Sequence, residues 1–419
     1  MASTLITNIS ELWTLDPALE DPDERGATGA QVLRDAAFVI DGERIAWTGP
    51  AAEAPEADER VDAEGRAVLP GWVDSHSHLI FDGDRSAEFE ARMAGQAYAA
   101  GGIQVTTDAT RSASDERLAA LVAQRVQAAQ ALGTTCMETK TGYGLTVEDE
   151  KRAAVLAERL IEEGVLDEAT FLGAHLVPAE FADDAEGYVD LVVGPMLAAV
   201  APHVRWADVF CEEGAFTPAQ SERVLRAARE SGLGLRVHGH QIGRSGGVAL
   251  AVQLGAASVD HVNFMSPDDI EALAGTAGIA TAPGEQDGLL AVDRGPTVAT
   301  VLPACDLSTR APLAPARALL DAGAHVAIAS NCNPGTSFTS AMPFCVATAV
   351  LQMRLSIAEA VRAATRGGAL ALRRSDVGHL AVGARADLQI LEAPAAIHLA
   401  YRPGMPLTHA VWRKGRRVA

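Results

Sequence analysis

The chain has 419 residues, 48% of them hydrophobic, with 38 glycines and 20 prolines; that is an ordinary globular composition and too much chain for one core of usual size. Fifty-five acidic against 34 basic side chains give a formal charge of −21, which excludes the basic face that neutralises nucleic-acid phosphates. No apolar run reaches the ~18 residues of a membrane span, no secretory leader is visible, and five scattered cysteines without a Cys-x-x-Cys fit a reducing compartment, so a cytoplasmic protein is expected.

Residues 1–67 carry short strand signals. Leu5–Asn8, Ala37–Ile40 and Ile45–Gly49 alternate or cluster apolar residues, and Asp41-Gly42 marks a hairpin turn between the last two. Asp16 to Gly29 is acidic and rich in turn residues, the mark of an exposed loop. From Ala67 the pattern changes to apolar strands alternating with helices. Candidate strands are 67–75, 103–108, 134–140, 169–174, 206–211, 233–238, 257–260, 278–282 and 325–330. Helical periodicity covers Glu116–Leu132, Val147–Glu163, Pro218–Glu230 and Leu313–Ala322.

Repeated strand–helix units of this length predict an α/β fold, a (β/α)8 TIM barrel. Nine candidates for eight staves leave one outside the barrel. Near the C-terminus, short strands return in Gln389–Leu391 and Leu407–Trp412. Strands at both ends predict a small β-sandwich domain built from residues 1–67 and 376–419 around a barrel of residues 68–375.

The chemistry gathers at the strand ends, which in such a barrel face the active site. The stretch Val68 to His78 reads as an apolar strand ending in His76 and His78. On extended chain, positions i and i+2 point the same way, so the two imidazoles can meet one divalent metal. The other strand ends supply Lys140 to Gly144, Gly173 to His175, His238 to Gln241, Asp260-His261 and Ser330 to Gly335. Six of the eleven histidines fall there; His203, His325, His379, His398 and His409 do not. A metal hydrolase needs an open coordination position for water, a base for its proton and an acid for the leaving nitrogen. His76, His78 and His238 make a three-histidine site, with His261 free to orient or polarise and His175 to bind substrate.

Several longer stretches are more specific. They are Pro70 to Leu79, Asp84-Arg85-Ser86-Ala87-Glu88-Phe89-Glu90, Thr141 to Leu145, Phe171 to His175, Asp208 to Glu212, and Asn331-Cys332-Asn333-Pro334-Gly335-Thr336. With these, nearly the whole chain resembles the imidazolonepropionase family of the amidohydrolase superfamily. The resemblance implies hydrolysis of the ring amide of 4-imidazolone-5-propanoate to N-formimidoyl-L-glutamate in histidine degradation, with one Zn2+ or Fe3+ per subunit. It implies metal ligands at His76, His78, His238 and the position of Asn331. Substrate contacts fall on Arg85, Tyr98, Tyr143, His175, Gln241 and Thr336, with product contacts at Asn333 and Gly335. A homodimer follows from the habit of the superfamily. Arg85 suits the propionate carboxylate, which a guanidinium pairs bidentately. Asn333 and Gly335 equally suit a plain turn.

Three departures from the family pattern bear on mechanism. Asn331 stands where the family has an aspartate that ligates metal and takes the water proton; asparagine offers a neutral oxygen but no base. Losing a general base costs ~10²–10⁴-fold. Gln241 stands where some relatives have glutamate, and His240 where an acid is usual. The candidate catalytic set is therefore His261, Asn331, Gln241 and His240, with His240 or His261 taking over the proton and His240 a possible fourth ligand. Residues 283–296 look longer than the family's loop. Asn331 also leaves two alternatives: a cyclic amide or amidine hydrolase of shifted substrate, or a weakly active or non-catalytic relative.

Overall fold

The computed structural model describes residues 2–19, 31–95 and 102–419. Eight parallel strands form the barrel: β1 (Trp72–Asp74), β2 (Thr134–Lys140), β3 (Glu168–Ala174), β4 (Trp206–Cys211), β5 (Gly234–Gly239), β6 (Ser258–His261), β7 (Val298–Val301) and β8 (Val326–Ile328). Every residue of β2 to β6 is buried, as a sheet covered by helices on its outside and filled by side chains within requires. Local chemistry starts the covering helices. The Pro218–Glu230 helix opens with Thr217 accepting from the Gln220 N–H, a reciprocal capping box, and Pro218 in its first turn. Ser114 and Thr146 cap the helices Asp115–Gln130 and Val147–Glu162 by accepting the Arg117 and Asp149 N–H groups.

The barrel closes without a full ladder between β8 and β1. One parallel bridge, Ser77 to Cys332, joins them beyond the strand ends. Backbone bonds from the Asn331 N–H to the His76 carbonyl (3.0 Å) and from the His78 N–H to the Cys332 carbonyl (2.9 Å) flank it. The buried Asp74 carboxylate ties the seam further by accepting the Ser330 N–H at 2.9 Å.

The termini build one mixed sheet. Its order runs Arg416–Arg417, Thr408–Arg413, Leu388–Leu391, Glu59–Pro70, Thr4–Trp13, Ala36–Asp41, Arg44–Pro50, with Val32–Leu33 pairing beside Thr4–Trp13. Among the described residues, only Thr4–Trp13 with Glu59–Pro70 is parallel. The hairpin expected at Asp41-Gly42 is present, with Asp41 opposite Arg44 and Gly42 at φ 57°. Most of the acidic stretch from Asp16 to Gly29 lies outside the described residues.

Several strand expectations are corrected. The run 67–75 is not one strand: Glu59–Pro70 belongs to the terminal sheet and β1 to the barrel. Gly71 makes the crossing, and a Cβ there would lie 2.2 Å from Thr135 Oγ1, so no larger residue passes. Residues 103–108 form the start of a helix, Ile103–Ser112, that buries Thr106, Thr107 and Thr110 at helical spacing and leaves Val105 56% exposed. Residues 278–282 are loop. The seventh stave is Val298–Val301, a short β-branched run between Pro296 and Pro303 that is wholly buried. Leu313–Ala322 is helical only from Ala316, after Pro315. The 283–296 loop packs at the opposite end of the barrel from the histidines, bridging to Arg374 and walling a cavity of about 1120 Å³.

Candidate active site

Three imidazoles converge at the C-terminal mouth of the barrel. His78 Nε2 lies 3.3 Å from His76 Nε2 and 3.4 Å from His238 Nε2, and all three rings are buried. Nitrogens held at ~2.0–2.1 Å from one tetrahedral ion stand roughly 3.3–3.4 Å apart, so the spacing fits a single metal. The outer nitrogens explain the aim. His76 Nδ1 is 2.6 Å from Asp260 Oδ2, and His238 Nδ1 is 3.0 Å from Asp208 Oδ2. The hydrogen bond to Asp260 fixes the proton on His76 Nδ1 and turns its Nε2 lone pair inward, while Asp208 stands at ion-pair distance from the His238 ring.

The electrostatics keep the donors ready. Burial holds His76 and His78 well below the usual histidine range, helped by neighbouring cations and rings. For Asp208, burial favours the acid, but His238 and Lys140 outweigh it and hold the carboxyl ionised. For Asp260, burial is likewise outweighed by Arg236 and Lys140. Asn331 completes the fit: its buried Oδ1 has no hydrogen-bond partner among the described residues, while its Nδ2 leans toward Thr336 Oγ1 at 3.4 Å. An orphaned neutral oxygen on a residue that shares a cavity with His78 and His238 is suited to serve as a fourth donor. Asn331 sits at φ 52° and His261 at φ 84°, left-handed conformations that turn both out of the strand direction at the site.

One cavity is lined by His78, Arg85, Tyr143, His175, His238, Gln241, His261, Asn331, Asn333, Gly335 and Thr336, with Ile103, Leu176 and Phe210 as apolar wall. Sequence reasoning named eleven of these fourteen. His261 packs against His76 and His238 with ring centroids 5.7 and 5.4 Å away, and its Nδ1 is unpartnered among the described residues. His175 stacks on His78 at 5.5 Å and donates Nδ1–H to the Gly142 carbonyl at 2.8 Å; burial lowers it to about 4, so its Nε2 remains an acceptor at neutral pH. Tyr143 packs edge-on to His175 and Phe81. Gln241 gives its N–H to Glu212 at 2.5 Å and its amide to Cys305 Sγ at 3.7 Å.

Arg85 is no exposed loop residue. Its side chain is 7% exposed and forked onto Glu88 at 2.7 and 2.9 Å. The guanidinium rests against two glycines: a Cβ on Gly335 would stand 2.5 Å from Nη1, and one on Gly102 would stand 2.6 Å from Nη2. Asn333 does make the turn considered for it, its Oδ1 accepting the Gly335 and Thr336 N–H groups at 2.8 Å each, and this turn sets one wall of the cavity.

His240 is not brought to the cluster. At φ 61° the chain turns after β5, and the buried ring accepts the Gly246 N–H through Nε2 at 3.1 Å with Asp269 3.8 Å from Nδ1. Tyr98 lies outside the described residues. What sequence reasoning missed is the charged layer beneath the histidines, Glu138, Lys140, Asp208, Arg236 and Asp260, together with Glu88. Charges at alternate positions of otherwise apolar strands were the available signal.

Comparison with known proteins agrees with this geometry. A family model described as "Amidohydrolase family" matches residues 90–419. The chain is 64% identical to an imidazolonepropionase of Micrococcus luteus, covering 100% of both chains, and 63% identical to one of Paenarthrobacter aurescens, covering 100% of this chain and 98% of that one. One of Streptomyces griseus is 53% identical over 100% of both. Among solved structures, an atrazine chlorohydrolase mutant from Arthrobacter aurescens complexed with zinc and atraton superposes with a TM-score of 0.69 at 18% identity, over 99% of this chain and 94% of that one. An adenosine deaminase from Xanthomonas campestris with bound zinc also gives 0.69, at 19% identity, over 99% and 92%. These distant likenesses concern the fold.

Proposed function

The chain belongs to the imidazolonepropionases of the amidohydrolase family, and on that premise we propose how its residues open the ring of 4-imidazolone-5-propanoate to N-formimidoyl-L-glutamate in histidine degradation. One observation carries the reading: two imidazoles of the three-histidine metal site, His78 and His238, and a cation suited to a carboxylate, Arg85, line the same cavity.

His76, His78 and His238 hold one ion, zinc or iron, with Asn331 Oδ1 as a neutral fourth donor; when bound, the ion supplies a Lewis acid and acidifies water toward neutral pH. Arg85 takes the propionate carboxylate as a fork, which turns the ring toward the imidazoles and fixes which face of its carbonyl is attacked. Tyr143 and His175 flank the ring, and Gln241, Asn333, Gly335 and Thr336 offer polar contacts to substrate and product from the opposite wall. Asn331 has no basic atom, so the proton of the attacking water goes elsewhere. His261 is the group for it: burial keeps it neutral, its Nδ1 has no hydrogen-bond partner among the described residues, and it lines the cavity. Having taken the proton, it returns it to the ring nitrogen that leaves. His240, turned toward Gly246 and Asp269, has no part in this scheme.

The alternatives raised by Asn331 are not favoured, because relatives matching the whole chain at high identity carry the imidazolonepropionase name. The reading extends to a homodimer, to a small domain of the two termini whose first part runs on through Pro70 rather than ending at residue 67, and to the cytoplasm, which suits five cysteines that are all buried and unpaired. Turnover of imidazolonepropionate by the metal-loaded protein beside its Asn331→Asp variant tests the mechanism. The natural protein is expected to act, with the variant within tenfold of it. A dead natural protein beside an active variant removes His261 as the base; no turnover by either removes the substrate.

A further inference from the structure

Beneath the three imidazoles lies a layer of charge with no contact to the cavity. Glu138, Lys140, Asp208, Arg236 and Asp260 point into the barrel from β2, β4, β5 and β6, each with a side chain 0% exposed. Two cations face three carboxylates. Buried charges are costly unless paired, and here each pairing ends on a segment that carries a histidine.

Lys140 sits at the junction. Its Nζ donates to Glu138 Oε1 at 2.9 Å and reaches Asp208 Oδ2 at 3.0 Å. Glu138 uses its other oxygen to accept the Ser77 N–H at 3.1 Å, and the Ser77 hydroxyl donates to the Glu138 carbonyl. Ser77 is the residue between His76 and His78. Lys140 also gives its own backbone N–H to the Ser77 carbonyl at 3.0 Å. On the other side, Asp208 Oδ1 accepts the His238 N–H at 3.1 Å while Oδ2 faces His238 Nδ1. One ammonium therefore joins the His76–His78 segment to His238 through two carboxylates. Arg236 performs a parallel task for His76 alone, bonding the Ser75 carbonyl at 2.7 Å and Asp260 at 3.2 Å.

We propose that Lys140 is a positioning residue for the metal site, a buried cation that holds the His76–His78 segment and His238 in mutual register without touching metal or substrate. The proposal rests on the three-histidine metal reading. Without the ammonium, Glu138 and Asp208 are two buried carboxylates at close quarters with nothing between them. The link between Ser77, held by Glu138, and His238, held by Asp208, is then broken, and the two halves of the site lose their common anchor. Simple charge counting predicts the opposite, since removing a cation beside a metal site favours a second cation. The two ideas differ in sign.

The full-length protein, stripped of metal, is titrated with zinc against a chromophoric chelator as natural chain, Lys140→Met and Lys140→Arg, with circular dichroism to verify folding. The expected result is zinc affinity at least tenfold weaker in Lys140→Met and largely regained in Lys140→Arg, a rescue that a purely space-filling role would not give. Equal or tighter zinc binding by Lys140→Met overturns the proposal. If that variant does not fold, Lys140→Gln replaces it with the same expected and overturning results. A natural protein that binds no zinc overturns the metal reading and the proposal together, and its own isotherm distinguishes that failure from the first.

Discussion

Gly335→Ala is a one-carbon change that reaches the substrate through Arg85. A methyl at residue 335 would stand 2.5 Å from Arg85 Nη1 and 2.8 Å from its Cζ, whereas ordinary contact begins at 3.4 Å. The guanidinium must retreat by about 0.9 Å, the difference between 3.4 and 2.5 Å. Its retreat is opposed by the two bonds to Glu88. Misplacing a positioning group by ~1 Å costs ~10²-fold in rate, which is ~2.7 kcal/mol of transition-state stabilisation. Gly335 is not in the left-handed region, so alanine brings no backbone strain, and the obstacle it meets is the end of a long side chain. The loss is therefore expected in kcat/KM for imidazolonepropionate, near 100-fold, with metal content unchanged and thermal unfolding moved little. Steady-state kinetics and metal analysis on the same preparation measure it. A folded, metal-replete Gly335→Ala enzyme within threefold of the natural kcat/KM would refute the idea that Arg85 is held in place by this glycine contact.

Asp260→Asn weakens the acceptor on His76 Nδ1, and zinc affinity is expected to fall 10–100-fold; an unchanged chelator-competition curve counts against the outer carboxylate's role. Removing metal with a chelator abolishes turnover and lowers the thermal midpoint, and zinc restores both, since a ligand at 100 times its Kd adds ~2.7 kcal/mol; a midpoint indifferent to zinc argues that nothing binds the histidines. Asp306 gives a pH signature: burial, opposed by bonds from Asn263 and the Ala314 N–H, raises its carboxyl to about 7. Because the folded state holds this proton more tightly than the unfolded one, its contribution is whole below pH ~4 and is lost as pH rises to about 7, at ~1.4 kcal/mol per unit. Asp306→Asn should remove that slope from denaturant unfolding measured across the range, and an identical slope in the variant shows the proton is not taken up there.

The parts of this molecule written in one local stretch were readable in advance. His76 and His78 meet because two positions along extended chain share a side, and the Pro218–Glu230 helix begins at its Thr-Pro signal. What escaped reading depends on backbone turns or on distant partners. His240 repeats the two-residue spacing from His238, yet a positive φ at residue 240 ends the alternation and sends its ring toward Gly246. Residues 103–108 have the β-branched look of a strand, but the faces available to them bury only Thr106, Thr107 and Thr110, and a helix serves that pattern. The layer of Glu138, Lys140, Asp208, Arg236 and Asp260 was present as scattered charges in four short stretches; only the closure of the barrel reveals that they pair.

The seam between the last and first barrel strands also sets a clock on the ribosome. His76 waits for the Asn331 N–H and His78 for the Cys332 carbonyl, and 331 − 76 leaves 255 residues still to be made when the first histidine is complete. At ~5–20 residues per second that interval is roughly 13–50 s. Throughout it the Trp72–Asp74 strand has one unpaired edge, and the His76–His78 pair stands without Asn331. The terminal sheet waits longer still, since Glu59–Pro70 pairs with Leu388–Leu391. A nascent chain stalled before residue 331 would therefore present an open barrel and a half-built centre, and the segment that begins at Asn331 completes both at once.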